Sequence, residues 1–230
     1  VARGRVKWET DHMNIHRGVP VALACGVIAA WLPATASAHF KFLEPPSTWV
    51  TENGGKGVPP CGEGIPSGVV TKAQGGHALT IRLQEFIPHP GHYRISLAVN
   101  SRNELPKDPE SEVDGRGWSV SAKIDPNPKP PVLVDGAFAH TTTPRNTEWK
   151  MDLMLPNLNC DKCTLQVIQF MANHALNPGG GFNYHHCAEL QITMDPSLPP
   201  ADKSWMSLPQ NEFPKPAAPG PPPPPGGRGN

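Results

Sequence analysis

The 230-residue chain contains 30 Pro and 22 Gly, and its 20 Lys and Arg are balanced by 20 Asp and Glu. This length allows one medium-sized domain, and the Pro and Gly content indicates that much of the rest is turn or tail. The near-neutral charge argues against nucleic acid or an anionic membrane as the main partner.

The first 38 residues have the pattern of a secretory signal, in which Met13 is a possible start. Arg17 supplies a basic residue, residues 19–32 form a short apolar core, and the Ala-Ser-Ala sequence at 36–38 has the small residues of a cleavage site. The apolar run is too short to span a membrane. We therefore expect a secreted, periplasmic or extracellular protein without a membrane span, whose first residue after cleavage is His39.

Removal of this signal takes away four of the 20 basic and two of the 20 acidic residues, which leaves 16 and 18. Four cysteines also remain, an even set that predicts two disulfides in an oxidising compartment. The Cys-x-x-Cys sequence at Cys160 and Cys163 precedes a predicted strand rather than a helix, so we interpret it as a structural disulfide. Cys61 would then pair with Cys187, although other pairings remain open.

The chain after residue 39 has the pattern of short β-strands. Residues 40–43 predict a first strand that ends at the Glu-Pro-Pro sequence 44–46, because proline removes a donor from the strand ladder. Alternating apolar and polar residues predict two further strands at 79–83 and 93–99. Similar runs continue the series at 118–124, 132–134, 149–155, 163–171 and 187–193. No amphipathic helix of useful length is evident.

Seven or eight short strands separated by turn signals favour an all-β fold, an antiparallel β-sandwich of immunoglobulin or fibronectin III type with long loops. We predict that this domain spans residues 39–196, after a signal peptide at 1–38. From 197 to 230 the chain is rich in proline and glycine, a composition that cannot bury much apolar surface. This segment is expected to be a disordered tail, with a wall-spanning spacer as the alternative.

Histidines near the predicted strand ends suggest a metal site. After cleavage, His39 would carry a free α-amine beside its imidazole, and the two nitrogens can chelate one metal ion. His89 lies in a Pro-His-Pro-Gly sequence just before the strand at 93–99, and the flanking prolines restrict its backbone. It is therefore a better candidate for a further ligand than His92, which begins the strand.

The last third of the chain adds a second group of candidates. Asn173-His174-Ala175 follows a predicted strand, a glycine run occupies 179–181, and Tyr184 stands three residues before Cys187. An N-terminal His, a His-x-Gly sequence, Asn-His-Ala, a glycine-rich loop and Tyr-x-x-Cys-Ala, in this order, resemble the lytic polysaccharide monooxygenases. The resemblance covers most of residues 39–193.

This resemblance implies one copper ion per chain, bound in a histidine brace by the amine and imidazole of His39 and the imidazole of His89. It further implies that Tyr184 is an axial ligand and that His174 lies near the oxygen site, which makes these two the expected catalytic residues. The chain departs from the fungal cellulose-active enzymes at Phe182, where they carry a glutamine that helps to hold oxygen. The residues that can replace this glutamine are Gln169, Glu189 and His186.

The donor types agree with copper independently of the family. Neutral imidazole and amine nitrogens favour Cu(II) over the other common divalent ions. The α-amine, with an ordinary pKa of about 7.7–8.0, must lose its proton to bind, so affinity should fall at low pH. Zinc is the competing metal, since three nitrogens and an open position also describe a catalytic zinc site. The other histidines are interpreted as surface or structural residues, namely His77, His140, His185 and His186.

The expected function is oxidative cleavage of a β-linked polysaccharide, such as chitin or cellulose, by hydrogen abstraction at C1 or C4. The partners would be the polysaccharide surface, an external electron donor and oxygen or peroxide, and the protein would act as a monomer. The alternatives are a copper-binding or delivery protein with the same brace, and a carbohydrate-binding module with incidental histidines. Trp49 and Trp205 are possible sugar-stacking residues, as are Trp118 and Trp149, although core positions are expected for the latter two.

Overall fold

The computed structural model describes residues 40–51, 58–177 and 180–213. Within these ranges the chain forms ten β-strands and two short 3-10 helices, at Arg102–Glu104 and Lys203–Met206. No helix in the described part of the chain is long and apolar enough to cross a membrane. The strands are β1 (Phe40–Glu44), β2 (Thr71–Gln74), β3 (Ala78–Glu85), β4 (Gly91–Ala98), β5 (Ser111–Val113), β6 (Ser119–Ala122), β7 (Val132–His140), β8 (Thr147–Met154), β9 (Cys160–Met171) and β10 (Asn183–Thr193).

Two sheets form a β-sandwich, as the sequence predicted. One sheet has three strands in the order β1-β3-β8, and the other has five in the order β2-β10-β9-β4-β7. Strands β5 and β6 form a separate hairpin between β4 and β7. Neighbouring strands are antiparallel except for β2 and β10, which pair in parallel. The sequence did not predict β2 and β5, because short, largely polar edge strands lack the alternating apolar face that marks a half-buried strand.

The core lies between the two sheets and follows the period-two pattern of the strands. Ile81 and Leu83 of β3 face it from the three-stranded sheet, and both are fully buried. Alternate residues of β4, β9 and β10 face it from the other side, including Ile95, Leu165 and Leu190. Each such aliphatic side chain contributes about 1.5–3 kcal/mol when fully buried. Glu85 continues the inward-facing series of β3, so a carboxylate enters this apolar layer at one end.

Two disulfides lie at the five-stranded sheet. One joins Cys61 in a loop to Cys187 of β10, and the other joins Cys160 to Cys163 within β9. These are the two pairs that the sequence analysis favoured. The Trp49 N–H donates to the Cys187 carbonyl at 2.8 Å, so the segment after β1 lies along the same strand. The sulfurs of the second pair are buried, which agrees with a structural role rather than thiol exchange.

Residues beyond the predicted boundary at 196 contact the core. Trp205 and Leu208 are buried and belong to the main core cluster, and the side chain of Asn157 donates to the carbonyls of Leu198 and Pro199 at 3.0 and 2.9 Å. The division into a signal at 1–38, a domain at 39–196 and a tail at 197–230 stays a prediction. Residues 214–230 lie outside the described ranges.

Candidate metal centre

His89 lies in the loop between β3 and β4. At this end of the sandwich Phe40, the first residue of β1, pairs with Glu85 of β3 and contacts the ring of Tyr93 of β4. The Pro90 carbonyl accepts a hydrogen bond from Ala172 N–H at 2.7 Å, which joins this loop to the end of β9. At Gly91 a Cβ atom would lie well inside van der Waals contact with the Phe170 carbonyl oxygen. The glycine of the His-x-Gly sequence is therefore required by the close approach of β4 and β9.

His174 follows β9 and reaches the same end of the sandwich. Asn173 has a left-handed backbone, with φ of 55°, which asparagine adopts more readily than most residues. Ser119 of β6 holds this turn, since its carbonyl accepts from Asn173 N–H at 2.8 Å and its N–H donates to the His174 carbonyl at 3.0 Å. The rings of His89 and His174 meet edge to face, with centroids 5.1 Å apart.

Tyr184 stands behind these two histidines on the inner face of β10. Its ring centroid lies 6.2 Å from that of His174, and the side chain is fully buried. In the strand register it is opposite Gln169 of β9, which in turn is opposite Tyr93 of β4, so the three residues cross the inner face of the sheet in a row. Burial raises the pKa of the Tyr184 phenol well above its ordinary value, so the phenol stays protonated.

The surroundings of His89 favour a neutral imidazole. Burial lowers the pKa of His89 below its ordinary value, and the nearby His174 lowers it further. A neutral imidazole has a nitrogen lone pair for a metal, whereas an imidazolium has none. The His174 Nδ1–H donates to the Ala175 carbonyl at 2.6 Å, so the lone pair of its neutral ring is on Nε2.

A buried carboxylate that the sequence analysis did not single out lies directly below His89. Glu85 accepts hydrogen bonds from Gln169 Nε2 at 2.8 Å and from the His89 backbone N–H at 3.2 Å. His140 was interpreted as a surface or structural residue, but its Nε2 lies 3.3 Å from Glu85 Oε2 and its side chain is buried. The sequence contains one sign of this carboxylate, because Glu85 continues the alternating inward-facing positions of Ile81 and Leu83 in β3.

Glu85 and His140 form an ion pair. Burial alone would raise the pKa of Glu85, but hydrogen bonds from His140 and Trp149 outweigh it and hold the pKa below its ordinary value. The same hydrogen bond raises the pKa of His140. The His140 Nδ1–H donates to the Phe138 carbonyl at 2.6 Å, so both ring nitrogens face oxygen acceptors.

The three candidates for the missing glutamine have different environments. Gln169 is fully buried, and its amide donates to Glu85. His186 packs against Phe40, with ring centroids 4.5 Å apart. Glu189 lies five residues beyond Tyr184 on β10, beside Lys162. Of these three residues, only Gln169 and His186 thus lie at the end of the sandwich that carries His174. Phe182 itself is buried.

The other histidines are held by acidic partners or by packing. His77 Nε2 contacts Asp195 at 2.8 Å, and the fully buried His185 contacts Asp108 at the same distance through Nε2. His92 is buried on the outer face of β4, where its ring lies 5.2 Å from that of Phe170. These contacts give His77, His185 and His92 partners within the fold, and the choice of His89 over His92 as a ligand stays a prediction.

Among the described residues, no three His, Cys, Asp or Glu side chains converge as a metal-ligand group. The predicted brace needs His39, which lies outside the described residues, so its part in the site stays a prediction. The next residue, Phe40, shows where the first described strand begins. Phe40 pairs with Glu85 in the sheet, and its ring lies 5.3 Å from that of Tyr93, so β1 begins at the end of the sandwich that carries His89. His89 and Tyr184 fit a nitrogen and oxygen donor set for copper.

One tryptophan is exposed beside this site. Trp118 is 39% exposed, and the expectation that it would be buried in the core is wrong. The Asp114 carboxylate accepts from the Trp118 N–H at 3.0 Å and from Arg116 Nε at 2.8 Å, so a tight turn presents the indole outside the sandwich. Arg116 lies over the ring at 4.7 Å. Trp49 and Trp205 are buried and Trp149 is half-buried, so none of these three presents an open indole face.

No family model and no curated protein matches the chain. Similar solved structures include the extended catalytic domain of H. jecorina LPMO9A (EG4), which is 16% identical over 67% of this chain and 64% of that chain, with a TM-score of 0.39. The match thus spans less than two thirds of that domain. The glycoside hydrolase family 61 member Cel61B from Hypocrea jecorina is 15% identical over 69% of this chain and 72% of that one, with a TM-score of 0.36.

A third similar structure is a cellulose-active polysaccharide monooxygenase from M. thermophila, 11% identical over 67% of this chain and 70% of that chain, with a TM-score of 0.38. All three come from the enzyme group that the sequence resembles. Because each TM-score is below 0.5, the fold assignment rests on the sheets described above and the site on its own residues.

Proposed function

We propose that the chain is a secreted copper-dependent monooxygenase that cleaves a β-linked polysaccharide of the chitin or cellulose class. The observation that carries this proposal is that the rings of His89 and His174 meet at one end of the sandwich. Their centroids are 5.1 Å apart, and the Tyr184 phenol lies behind them. His39 would supply an amine and an imidazole, His89 a second imidazole and Tyr184 a phenol oxygen to one copper ion.

Each residue has a distinct task in this proposal. Bound copper would supply the oxidising chemistry at C1 or C4 of a sugar, with electrons from an external donor and oxygen or peroxide as co-substrate. The neutral His89 donates a lone pair. His174 takes up or releases a proton at Nε2 beside it, because its Nδ1 is held by the Ala175 carbonyl. Tyr184 stays a neutral phenol, which would bind copper more weakly than a phenolate.

The exposed Trp118 supports a polysaccharide as the partner. Aromatic rings offer a flat apolar face to the C–H groups of a pyranose ring, and Trp118 is 39% exposed. Ser119, the next residue, bonds directly to the backbone of Asn173 and His174. A sugar stacked on Trp118 would therefore lie next to the histidines. Arg116, which lies beside the indole ring, can donate hydrogen bonds to the hydroxyl groups of the sugar.

A copper-binding or delivery protein is the second candidate. Phe182 stands where the resembling fungal enzymes carry a glutamine, and the amide of the nearest glutamine, Gln169, is bonded to Glu85 rather than directed to His174. If no other group holds oxygen, the chain would bind copper without oxidising sugar. The exposed Trp118 favours the enzyme, since a delivery protein has no need of a stacking residue.

The test uses two forms of the secreted protein, one with His39 as the first residue and one with a single added alanine ahead of it. Calorimetric copper titration should give tight 1:1 binding for the first form and a loss of at least tenfold in affinity for the second. Equal affinities would reject the brace. Zinc, titrated in the same way, should bind more weakly than copper.

Activity then separates the two functions. The correctly processed protein, with copper and ascorbate, is incubated with chitin or cellulose, and soluble products are analysed by mass spectrometry. Oxidised oligosaccharides that disappear in His89→Ala and on chelation support the monooxygenase. Tight copper binding without oxidised products supports the delivery protein. The absence of tight copper binding, with retained binding to polysaccharide, supports a carbohydrate-binding module.

A further inference from the structure

Glu85 is a fully buried carboxylate at which both sheets of the sandwich meet. Its oxygens face one backbone N–H and four side-chain donors. These are His89 N–H at 3.2 Å, Gln169 Nε2 at 2.8 Å, Tyr93 Oη at 3.3 Å, Trp149 Nε1 at 3.1 Å and His140 Nε2 at 3.3 Å. The donors come from β4, β7, β8, β9 and the loop after β3, so one residue ties five parts of the chain together.

The two oxygens have different neighbours. Oε1 accepts from His89 N–H and Gln169, whereas Oε2 accepts from Tyr93 and Trp149 and lies 3.3 Å from His140 Nε2 in an ion pair. Gln169 is thus the residue that directs Oε1 towards the backbone of His89. The other oxygen is held by two donors and the ion pair, so the carboxylate has little freedom to rotate. Charge-assisted hydrogen bonds of this kind are stronger than neutral ones.

The position of Glu85 in the sheet adds a second connection. It is the last residue of β3, and its register partner in β1 is Phe40, while Thr147 of β8 pairs with it on the other side. Phe40 is the residue next to His39 in sequence, and His89 follows Glu85 by four positions. Glu85 therefore stands between the start of β1 and the loop that carries His89.

Stability alone does not explain a charge at this place. Taking a carboxylate out of water is unfavourable by several kcal/mol, and replacing a buried ion pair with apolar residues of similar volume is often neutral or stabilising. The preceding inward-facing residues of the same strand, Ile81 and Leu83, are apolar. The carboxylate and its donors are better explained by the geometry that they impose.

We propose that Glu85 is the positioning residue of the site, which fixes the His89 backbone relative to the start of β1 and so sets the geometry of the metal ligands. This inference rests on the proposed function in one respect, namely that His89 binds copper. Removal of a residue that holds a metal ligand in place typically weakens metal affinity by about 10–100-fold.

The test compares Glu85→Gln with a matched buried carboxylate at the opposite end of β4. Glu104 is 2% exposed and accepts from Val99 N–H at 2.7 Å and Asn100 N–H at 2.9 Å, remote from His89. Glu104→Gln should therefore lower the melting temperature without affecting the metal site. Both variants are prepared with His39 as the first residue.

The first measurement needs no metal. Amide hydrogen exchange at His89, followed by NMR in the metal-free protein, should be at least tenfold faster in Glu85→Gln and unchanged in Glu104→Gln. This result decides whether Glu85 holds the His89 backbone, whether or not the protein binds copper. Equal exchange at His89 in Glu85→Gln and the wild type would overturn the inference.

The second measurement uses Cu(II). Glu85→Gln should weaken copper binding by about tenfold and change the copper hyperfine splitting in the electron paramagnetic resonance spectrum, while Glu104→Gln keeps the wild-type constant and spectrum. A wild-type protein that binds no copper would reject the proposed function, and the exchange result would still stand. If Glu85→Gln fails to fold, Gln169→Met removes the donor that directs Oε1, and the same two readouts decide.

Discussion

The imidazole rings of His89 and His174 lie edge to face, with centroids 5.1 Å apart and planes inclined at 80°. They belong to different loops, which follow β3 and β9. The hydrogen bond from Ala172 N–H to the Pro90 carbonyl, 2.7 Å long, joins these loops. The spacing of the two rings therefore depends on how closely β4 and β9 approach each other, and this relationship can be tested.

Gly91→Ala should disrupt that approach. The added methyl group would overlap the Phe170 carbonyl oxygen of β9, which is backbone and cannot rotate away. We expect a loss of about 1–3 kcal/mol in the free energy of unfolding and weaker copper binding, because the strand end beside His89 must move. Urea denaturation and copper titration measure the two effects.

Gly115→Ala is the matched control, since a methyl group at Gly115 meets no atom within 4 Å. Its unfolding free energy should stay within about 0.5 kcal/mol of the wild type. If both glycine variants had the same stability and copper affinity as the wild type, the close approach at Gly91 would not determine the site.

The two disulfides should contribute very differently to stability. Cys61 and Cys187 are 126 residues apart, whereas Cys160 and Cys163 are three apart. On the chain-entropy model, the first cross-link restricts the unfolded state by about 5 kcal/mol and the second by about 1.6 kcal/mol. Denaturation of the two paired Cys→Ser variants should give losses in this order, and equal losses would show that buried packing rather than chain entropy dominates.

His92 should make the fold sensitive to mild acid. Burial lowers the pKa of His92 below its ordinary value, so as the pH falls below about 6.5 the unfolded state binds a proton before the folded state does. The contribution of His92 to the free energy of unfolding therefore decreases between pH 7 and pH 5. We expect His92→Gln to show a smaller decrease over this range in urea titrations at several pH values. Parallel pH profiles for the two proteins would contradict this assignment.

Most of the fold could be predicted from the sequence because the buried strands alternate strongly. Tyr93, Ile95 and Leu97 are apolar and inward-facing, and their strand is β4. By contrast β2 has the sequence Thr-Lys-Ala-Gln and is held at the sheet edge by its pairing with β10. Such a strand has no apolar face that the sequence pattern could show, so it is recognised only by its pairing with β10 in the structure.

The site was predictable in part for a related reason. His89, His174 and Tyr184 belong to short motifs that can be read from the chain, but Glu85 and His140 are 55 residues apart and belong to no motif. Their pairing depends on the fold, which places the ends of β3 and β7 close together. Trp118 was misplaced because its apolar character suggested burial, whereas the Asp114 turn carries it outside the sandwich.

Trp118→Ala should weaken binding to insoluble polysaccharide without altering the metal centre. The indole is 39% exposed and adjoins Ser119, which bonds to the His174 backbone. Loss of one central aromatic contact typically weakens binding by 1 kcal/mol or more, so we expect a roughly tenfold higher dissociation constant in pull-down isotherms on cellulose or chitin. Val120→Ala, at an exposed position of the adjoining strand β6, is the control and should bind like the wild type. Copper affinity should be equal in all three proteins, which separates docking from metal binding. Unchanged adsorption of Trp118→Ala to both polysaccharides would mean that the substrate approaches the histidines from another side, and would remove the main support for a polysaccharide partner.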